Sequence, residues 1–198
     1  IESRGDCENS RSKRLAGDAI AVSALLSFVV VVFFRTVFNG KPISKLCRLA
    51  NWDSVFQQYS NNSVGSCDPS LVQLLLPNYF FVAKLWHDRT LPLWNQYSGC
   101  GMPLIGDIQA CVFAPMHFLL ALFPGARTYS LVLVGEVGLC LLGSYALARL
   151  LTLERLTAIF SALAYSFCPF TLYYLELLSG TSQAFLPALM ASYVYAAR

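Results

Sequence analysis

Charge is scarce in this sequence. Aspartate, glutamate, lysine and arginine make up 13% of its 198 residues, against about 25% in an ordinary soluble domain. So few charges cannot coat a water-facing surface of normal polarity. The net charge of +3 is also small, and the basic residues are scattered with no RNA- or DNA-binding motif beside them, which argues against a nucleic-acid partner. No G-x-G-x-x-G or Walker run occurs, so the glycines form no phosphate-binding fingerprint. The seven cysteines lack the spacing of a zinc site. No cofactor is specified, although a divalent metal is compatible with the acidic residues discussed below. Internal repeats and low-complexity tracts are absent.

What remains is apolar. Hydrophobic residues are 56% of the chain and the mean hydropathy is +0.54, the composition of an integral membrane protein. The chain begins at Ile1, without an initiator Met, and stops at Arg198 inside an apolar stretch, which reads as a piece of a longer protein.

The apolar residues fall into separate runs, which predict an all-α, polytopic membrane protein. Residues 1–17 are a polar, basic tail with Arg4, Arg11, Lys13 and Arg14. Residues 18–38 follow as a first span around AIAVSALLSFVVVVFF, close to the about 20 residues a helix needs to cross a bilayer. The basic cluster before it places the N-terminus in the cytoplasm by the positive-inside rule, so 39–127 is expected to face outward. Two amphipathic, interfacial helices are predicted there, near 69–88 and 110–123. Asp68-Pro69 would open the first, as N-cap and first helical residue. Spans at 128–151 and 156–175 follow, the latter kinked near Pro169, and a fourth begins in 184–198. Arg149 and Arg155 then fall in a cytoplasmic turn. The predicted location is the cell membrane, multi-pass.

Cys140 and Cys168 lie inside apolar runs, where a thiol behaves as a small hydrophobe. Cys47, Cys67, Cys100 and Cys111 share the outer excursion, where one or two disulfides are compatible with an oxidising compartment, without a pairing being fixed. Asn61-Asn62-Ser63 fits a glycosylation acceptor, a triplet that is common by chance.

One stretch organises the rest. Leu91–Gln109, LPLWNQYSGCGMPLIGDIQ, is broken by Pro92, Gly99, Gly101, Pro103 and Gly106, which forbid a regular helix. Trp94, Asn95, Tyr97, Asp107 and Gln109 supply stacking and hydrogen-bonding groups at close intervals. This is loop chemistry at a binding surface.

The longer run Leu91–Gly125 resembles the bacterial YfhO-like membrane protein family. That family's first outer loop carries PLWNPY-x-x-x-G-x-P-L, then a spaced Gln, Phe, Pro, Leu, Leu and Pro. The matching residues are Pro92, Leu93, Trp94, Asn95, Tyr97, Gly101, Pro103, Leu104, Gln109, Phe113, Pro115, Leu119, Leu122 and Pro124. Gln96 replaces the usual proline, which loosens the turn. Asp68, with Pro77 and the aromatic helix behind it, is similar to the family's acidic residue ahead of an L-x-x-x-P segment, so the resemblance covers about Asp68 to Leu175.

Such proteins are similar to GT-C glycosyltransferases, polytopic enzymes with a carboxylate in a long first outer loop and a polyprenyl-phosphate sugar as donor. The resemblance therefore implies transfer of a sugar from a polyprenyl-phosphate carrier to a cell-envelope polymer or lipid on the outer face of the membrane. The partners would be that donor, the envelope acceptor and membrane lipid.

That chemistry needs a carboxylate to take the acceptor proton and cations to meet the phosphate. Asp68 is the first candidate base and Asp107 the second, with Asn95 in support; Asp53 is a weaker rival, and either of the first two also suits simple helix capping. Lys84 and Arg89, with Arg48, are placed to meet phosphate. Trp94 and Tyr97 offer faces to a sugar, and Gln109 a hydrogen-bonding amide. Glu136, on the order of 12 Å into its helix at about 1.5 Å per residue, is an ionisable group at membrane depth and hence a functional candidate. His87 and His117 read as packed or solvated side chains. The competing reading is a non-enzymatic transporter or assembly factor for envelope export, with the same loop as its docking surface.

Overall fold

In the computed structural model, residues 2–40, 75–151, 153–175 and 178–198 are described. The predicted Asp68 cap and base, Asp53, Arg48, Cys47, Cys67 and the Asn61 triplet lie outside them. The described chain is mostly helical: α1 (Glu2–Val32), α2 (Phe34–Val37), α3 (Leu76–His87), α4 (Pro115–Leu122), α5 (Ala126–Leu150), α6 (Arg155–Ser166), α7 (Pro169–Tyr173) and α8 (Leu178–Ala196), with two-residue strands β1 (Trp94–Asn95) and β2 (Met102–Pro103) between α3 and α4. Two compact units are formed, one from Ile1–Val37, Val134–Leu175 and Ser179–Arg198, the other from Phe38–Leu133 and Glu176–Leu178.

The first unit is a helix bundle. Helix α1 runs unbroken through the stretch expected to be a polar tail, since residues 2–17 contain no proline to stop it. It buries Ala21, Leu25 and Val29, spaced by four and so stacked on one face, while Ile20 and Val31 on its other faces are exposed. Phe28 meets Phe167 edge to face at 5.5 Å between centroids. Helix α6 buries the small residues Ala158, Ala162 and Ser166 at the same spacing. Helices α5 and α8 come closer still: a Cβ added to Gly143 would lie 2.8 Å from the Ala188 backbone nitrogen. Such approaches suit helices that associate by packing of small residues.

Prolines interrupt two helices of this unit, and each time a side chain repairs the main chain. Pro169 brings no N–H to the Tyr165 carbonyl four residues back, so α6 stops at Ser166 and α7 starts at Pro169. The Thr171 hydroxyl donates to that carbonyl at 3.1 Å, and Cys168 Sγ caps α7 by accepting from Thr171 N at 3.4 Å. Pro187 likewise deprives the Gln183 carbonyl inside α8, and the Tyr165 hydroxyl approaches it at 3.5 Å.

One carboxylate gathers three helices. Asp18 of α1 accepts from the Tyr145 hydroxyl at 3.0 Å and from Arg155 Nε at 3.2 Å, and pairs with Arg149, whose Nε lies 3.1 Å from Oδ1. A further Arg149 nitrogen donates to the Leu153 carbonyl at 2.7 Å, tying the α5–α6 turn to the same cluster.

By length and composition, α5 is the one helix among the described residues apolar enough to cross a membrane, with a shorter apolar stretch at Ala16–Val32. The break at Pro169 leaves α6 with 12 residues, about 18 Å long, short of the about 30 Å hydrocarbon core.

The second unit packs α3 against α4. Between them Val82, Leu104, Ala110 and Val112 form a buried cluster, flanked by Phe81, Leu85 and Trp86.

Asp18→Asn should weaken both arginine pairs and lower stability by about 1 kcal/mol, since partly exposed ion pairs contribute modestly. Gly143→Val should cost more, about 1–3 kcal/mol, because the α5 and α8 backbones would have to separate. Thermal unfolding of the detergent-purified protein checks both values and their order.

Candidate functional site

The aromatic loop is built outward from its buried groups. Helix α3 ends with a paired set of bonds, Thr90 N to the Leu85 carbonyl at 2.8 Å and, inside it, Arg89 N to the Trp86 carbonyl at 3.1 Å. This turn places Arg89 at φ 55°, a left-handed conformation that glycine normally fills. From there Pro92 is buried, and β1 pairs antiparallel with β2, Trp94 opposite Pro103 and Asn95 opposite Met102. Beyond the ribbon, Leu104 N donates to the Leu93 carbonyl at 2.9 Å, and the Leu104 side chain enters the cluster between α3 and α4.

A buried amide pair fastens the ribbon to α3. Asn95 Nδ2 donates to Asn78 Oδ1 at 2.9 Å, while Asn95 Oδ1 accepts from Tyr97 N at 2.9 Å. Both ends of the Asn95 carboxamide are engaged and the residue is buried, so it positions the loop. This differs from an amide reaching out to support a base. The two aromatic residues on either side face outward. Trp94 is 56% and Tyr97 76% exposed, with the Tyr97 ring edge-on to Phe81 at 5.4 Å. The Trp94 indole lies over Gly101: a Cβ there would sit 2.7 Å from its Nε1, and Gly101 has φ 109°. Only glycine meets both conditions.

Aromatic anchoring continues toward α4. Trp86 Nε1 donates to the Val112 carbonyl at 2.9 Å, and its ring packs on Phe118 at 5.0 Å. His87 Nδ1 donates to the Ala121 carbonyl at 2.7 Å. The fully buried His117 donates from Nε2 to the Ala110 carbonyl at 2.9 Å and meets the Tyr79 ring at 5.6 Å. Burial pushes its pKa below the ordinary histidine value, against the opposing pull of its bond to Ala110. Helix α4 starts without a side-chain cap, at Ala114 followed by Pro115.

Of the carboxylates, Asp107 accepts from Gln109 N at 2.9 Å through Oδ1, and Ala110 N reaches its carbonyl at 3.1 Å. It closes a turn of its own and does not cap α4. Gln109, Lys84 and Arg89 are exposed. Glu136 belongs to α5 in the other unit and is 7% exposed. Cys100 and Cys111 are free thiols. Burial, and then the Asp107 carboxylate, push the Cys111 thiol up, which keeps it protonated and unreactive. Among the described residues no group of three or more His, Cys, Asp or Glu side chains is placed to hold a metal ion.

Asn78, Trp86 and His117 are the residues here that reading the sequence alone undervalued. For Asn78 a signal existed: an asparagine inside LPNYFFVA must find a partner if the helix is buried.

Gly101→Ala should expel the indole and strain the backbone, destabilising the loop by about 1–3 kcal/mol, visible as red-shifted tryptophan emission and faster amide exchange across 94–104. A pH dependence follows from His117. Its folded pKa lies below the unfolded value of about 6.5, so below that pH the unfolded chain binds the extra proton and folding loses free energy. The second unit should therefore be most stable above about pH 6.5 and weaken steadily as pH falls, measured by thermal melts from pH 7.5 to 5; His117→Gln should flatten the slope.

No protein-family model, no curated protein and no solved structure matches this chain.

Proposed function

We propose that the chain is part of a multi-pass membrane protein of the YfhO-like type, with a glycosyltransferase activity of GT-C kind. It would transfer a sugar from a polyprenyl-phosphate donor to an envelope acceptor on the outer face of the membrane. The observation that carries this reading is the aromatic loop: two exposed rings, Trp94 and Tyr97, stand on a ribbon pinned by the buried Asn78–Asn95 amides. Rigidly held, solvent-facing aromatic faces are what sugar stacking requires, and a preorganised loop loses little entropy on binding. The residues of the family-like signature also depend on one another physically, as Gly101 does on Trp94.

Arg89 adds a second argument. A non-glycine residue in the left-handed region costs roughly 1–2 kcal/mol, so at Arg89 a strained backbone presents an exposed cation beside the loop. In the proposed mechanism Arg89 and Lys84 hold the donor phosphate, Asp68 removes the acceptor proton, and Trp94 and Tyr97 orient the sugar. Asn95 and Asp107 act as positioning residues. Membrane insertion is supported by α5, by exposed apolar side chains such as Leu156, Phe160 and Leu189, and by the repair of both proline breaks, as low-dielectric surroundings demand. Asp18 meeting Arg149 and Arg155 favours a common membrane face, the cytoplasmic one, for the start of the apolar part of α1 and the α5–α6 turn.

A docking role in envelope export is the second reading, favoured by the exposed Leu91, Leu93, Ile105 and Ile108 around the same loop.

In membranes supplied with labelled polyprenyl-phosphate sugar, Asp68→Asn should lower transfer by about 100-fold or more; wild-type rates would remove Asp68 from the mechanism. Arg89→Gly separates charge from conformation. It should raise stability by about 1 kcal/mol and still reduce transfer. Unchanged transfer would make Arg89 a helix stop alone, and no product with any lipid-linked sugar would favour the docking role.

A further inference from the structure

Of the two helices expected at a membrane surface, only α4 turns an apolar face outward. Helix α3 packs on α4 and buries Leu76, Tyr79 and Val82, while its exposed residues are Pro77, Lys84 and His87. Helix α4 buries Met116, His117, Leu120 and Ala121. That leaves Pro115, Phe118, Leu119 and Leu122 exposed, at the i, i+3, i+4, i+7 positions where a water-facing helix carries polar groups. Leu122 and the following Phe123 are 69% and 68% exposed. Phe113, also exposed, joins the patch through Trp86, whose ring meets Phe113 at 6.1 Å and Phe118 at 5.0 Å. From Ile108 to Ala126 the chain has no Asp, Glu, Lys or Arg, so no ionic partner can be held along this face.

What covers the face follows from where it ends. Only Phe123, Pro124 and Gly125 separate α4 from α5, the helix long and apolar enough to cross a membrane. The first turns of α5 belong to the same compact unit as α4, and the buried Tyr129 of α5 packs on Phe80 of α3 at 6.2 Å. Helix α4 is therefore fixed beside the entry of α5. Arg127, exposed at the second residue of α5, is a charge that stays at the level of headgroups and water, which sets the height of that entry. With 8 residues, α4 is about 12 Å long and far too short to cross the about 30 Å hydrocarbon core.

We propose that α4 lies along the membrane interface, in the leaflet that α5 enters at Arg127, with Phe118, Leu119, Leu122 and Phe123 inserted among the acyl chains just below the headgroups. The partner of this face is membrane lipid. The proposal rests on the reading of α5 as a span and on none of the transfer chemistry. The insertion also fixes the height of the aromatic loop. His87 donates to the Ala121 carbonyl in the last turn of α4, and Trp86 to the Val112 carbonyl just before its start, so the end of α3, from which the loop departs, moves with α4.

The test uses the full chain in nanodiscs of phosphatidylcholine that carries a photoactivatable group either beside the glycerol ester or at the end of the acyl chain, with labelled peptides mapped by mass spectrometry. The 113–123 peptide should be labelled several-fold more by the ester-side reagent than by the chain-end one. Leu119→Glu with Leu122→Glu, both at exposed positions, should cut that labelling about tenfold or more, the partition value of a buried leucine side chain. Leu122→Ser, a milder change, should reduce it in the same direction. Preferential chain-end labelling, no labelling by either reagent, labelling that survives the double variant, or a second polypeptide cross-linked to this peptide would overturn the proposal. Carbonate extraction separates the two levels: release of the protein from membranes defeats the spanning reading of α5, whereas retention with α4 unlabelled defeats only the interfacial seat.

Discussion

A buried peptide group left without a partner is costly in apolar surroundings, and much of this structure answers to that constraint. The chain has few charges with which to compensate and must satisfy its own backbone. It does so at the places where proline interrupts the pattern. The Thr171 hydroxyl serves the Tyr165 carbonyl abandoned by Pro169, and the Tyr165 hydroxyl turns toward the Gln183 carbonyl abandoned by Pro187. The same logic governs the loop of the second unit. There Asn95 bonds the Asn78 side-chain oxygen through its Nδ2 and the Tyr97 N–H through its Oδ1, and the Trp86 indole answers the Val112 carbonyl.

Charge is used sparingly and for position. Asp18 draws together α1, the end of α5 and the start of α6 through two guanidinium groups and a phenol. Each pair is partly exposed and individually modest in energy. Their value is geometric, because α1 and the α5–α6 turn, separated by 127 residues or more in sequence, must converge on one carboxylate. In the second unit, Asp107 spends one oxygen on its own turn, and Asn95 is consumed in anchoring. Trp94, Tyr97, Lys84, Arg89 and Gln109 face outward there, together with Asp88 and Gln96.

Local features were the legible ones. The helical character of Ala126–Leu150 follows from a long, proline-free and mainly apolar run, the break near Pro169 from the missing N–H, and the irregular backbone of 91–109 from its glycines and prolines. Helix α1 was harder to delimit, because a polar composition does not stop a helix that lacks a breaker. Pairings across distance were not legible. Nothing near Asp18 announces Tyr145, Arg149 or Arg155, and nothing near Asn95 announces Asn78, because helix periodicity says which face is apolar but not what lies opposite. The turn at Asp107 was ambiguous for another reason: an aspartate before a helix can close its own loop as readily as it can cap the helix. Polar residues inside apolar runs were the underused clue, since each had to be matched by a partner elsewhere.

Tyr165 stands at both proline breaks, giving its carbonyl to one repair and its hydroxyl to the other. Two bending points on different helices thus share a single pivot. A change of bend at Pro187 that moved the Gln183 carbonyl would alter its contact with the phenol of the very residue whose carbonyl is served at the Pro169 break. One aromatic side chain therefore joins the two interruptions.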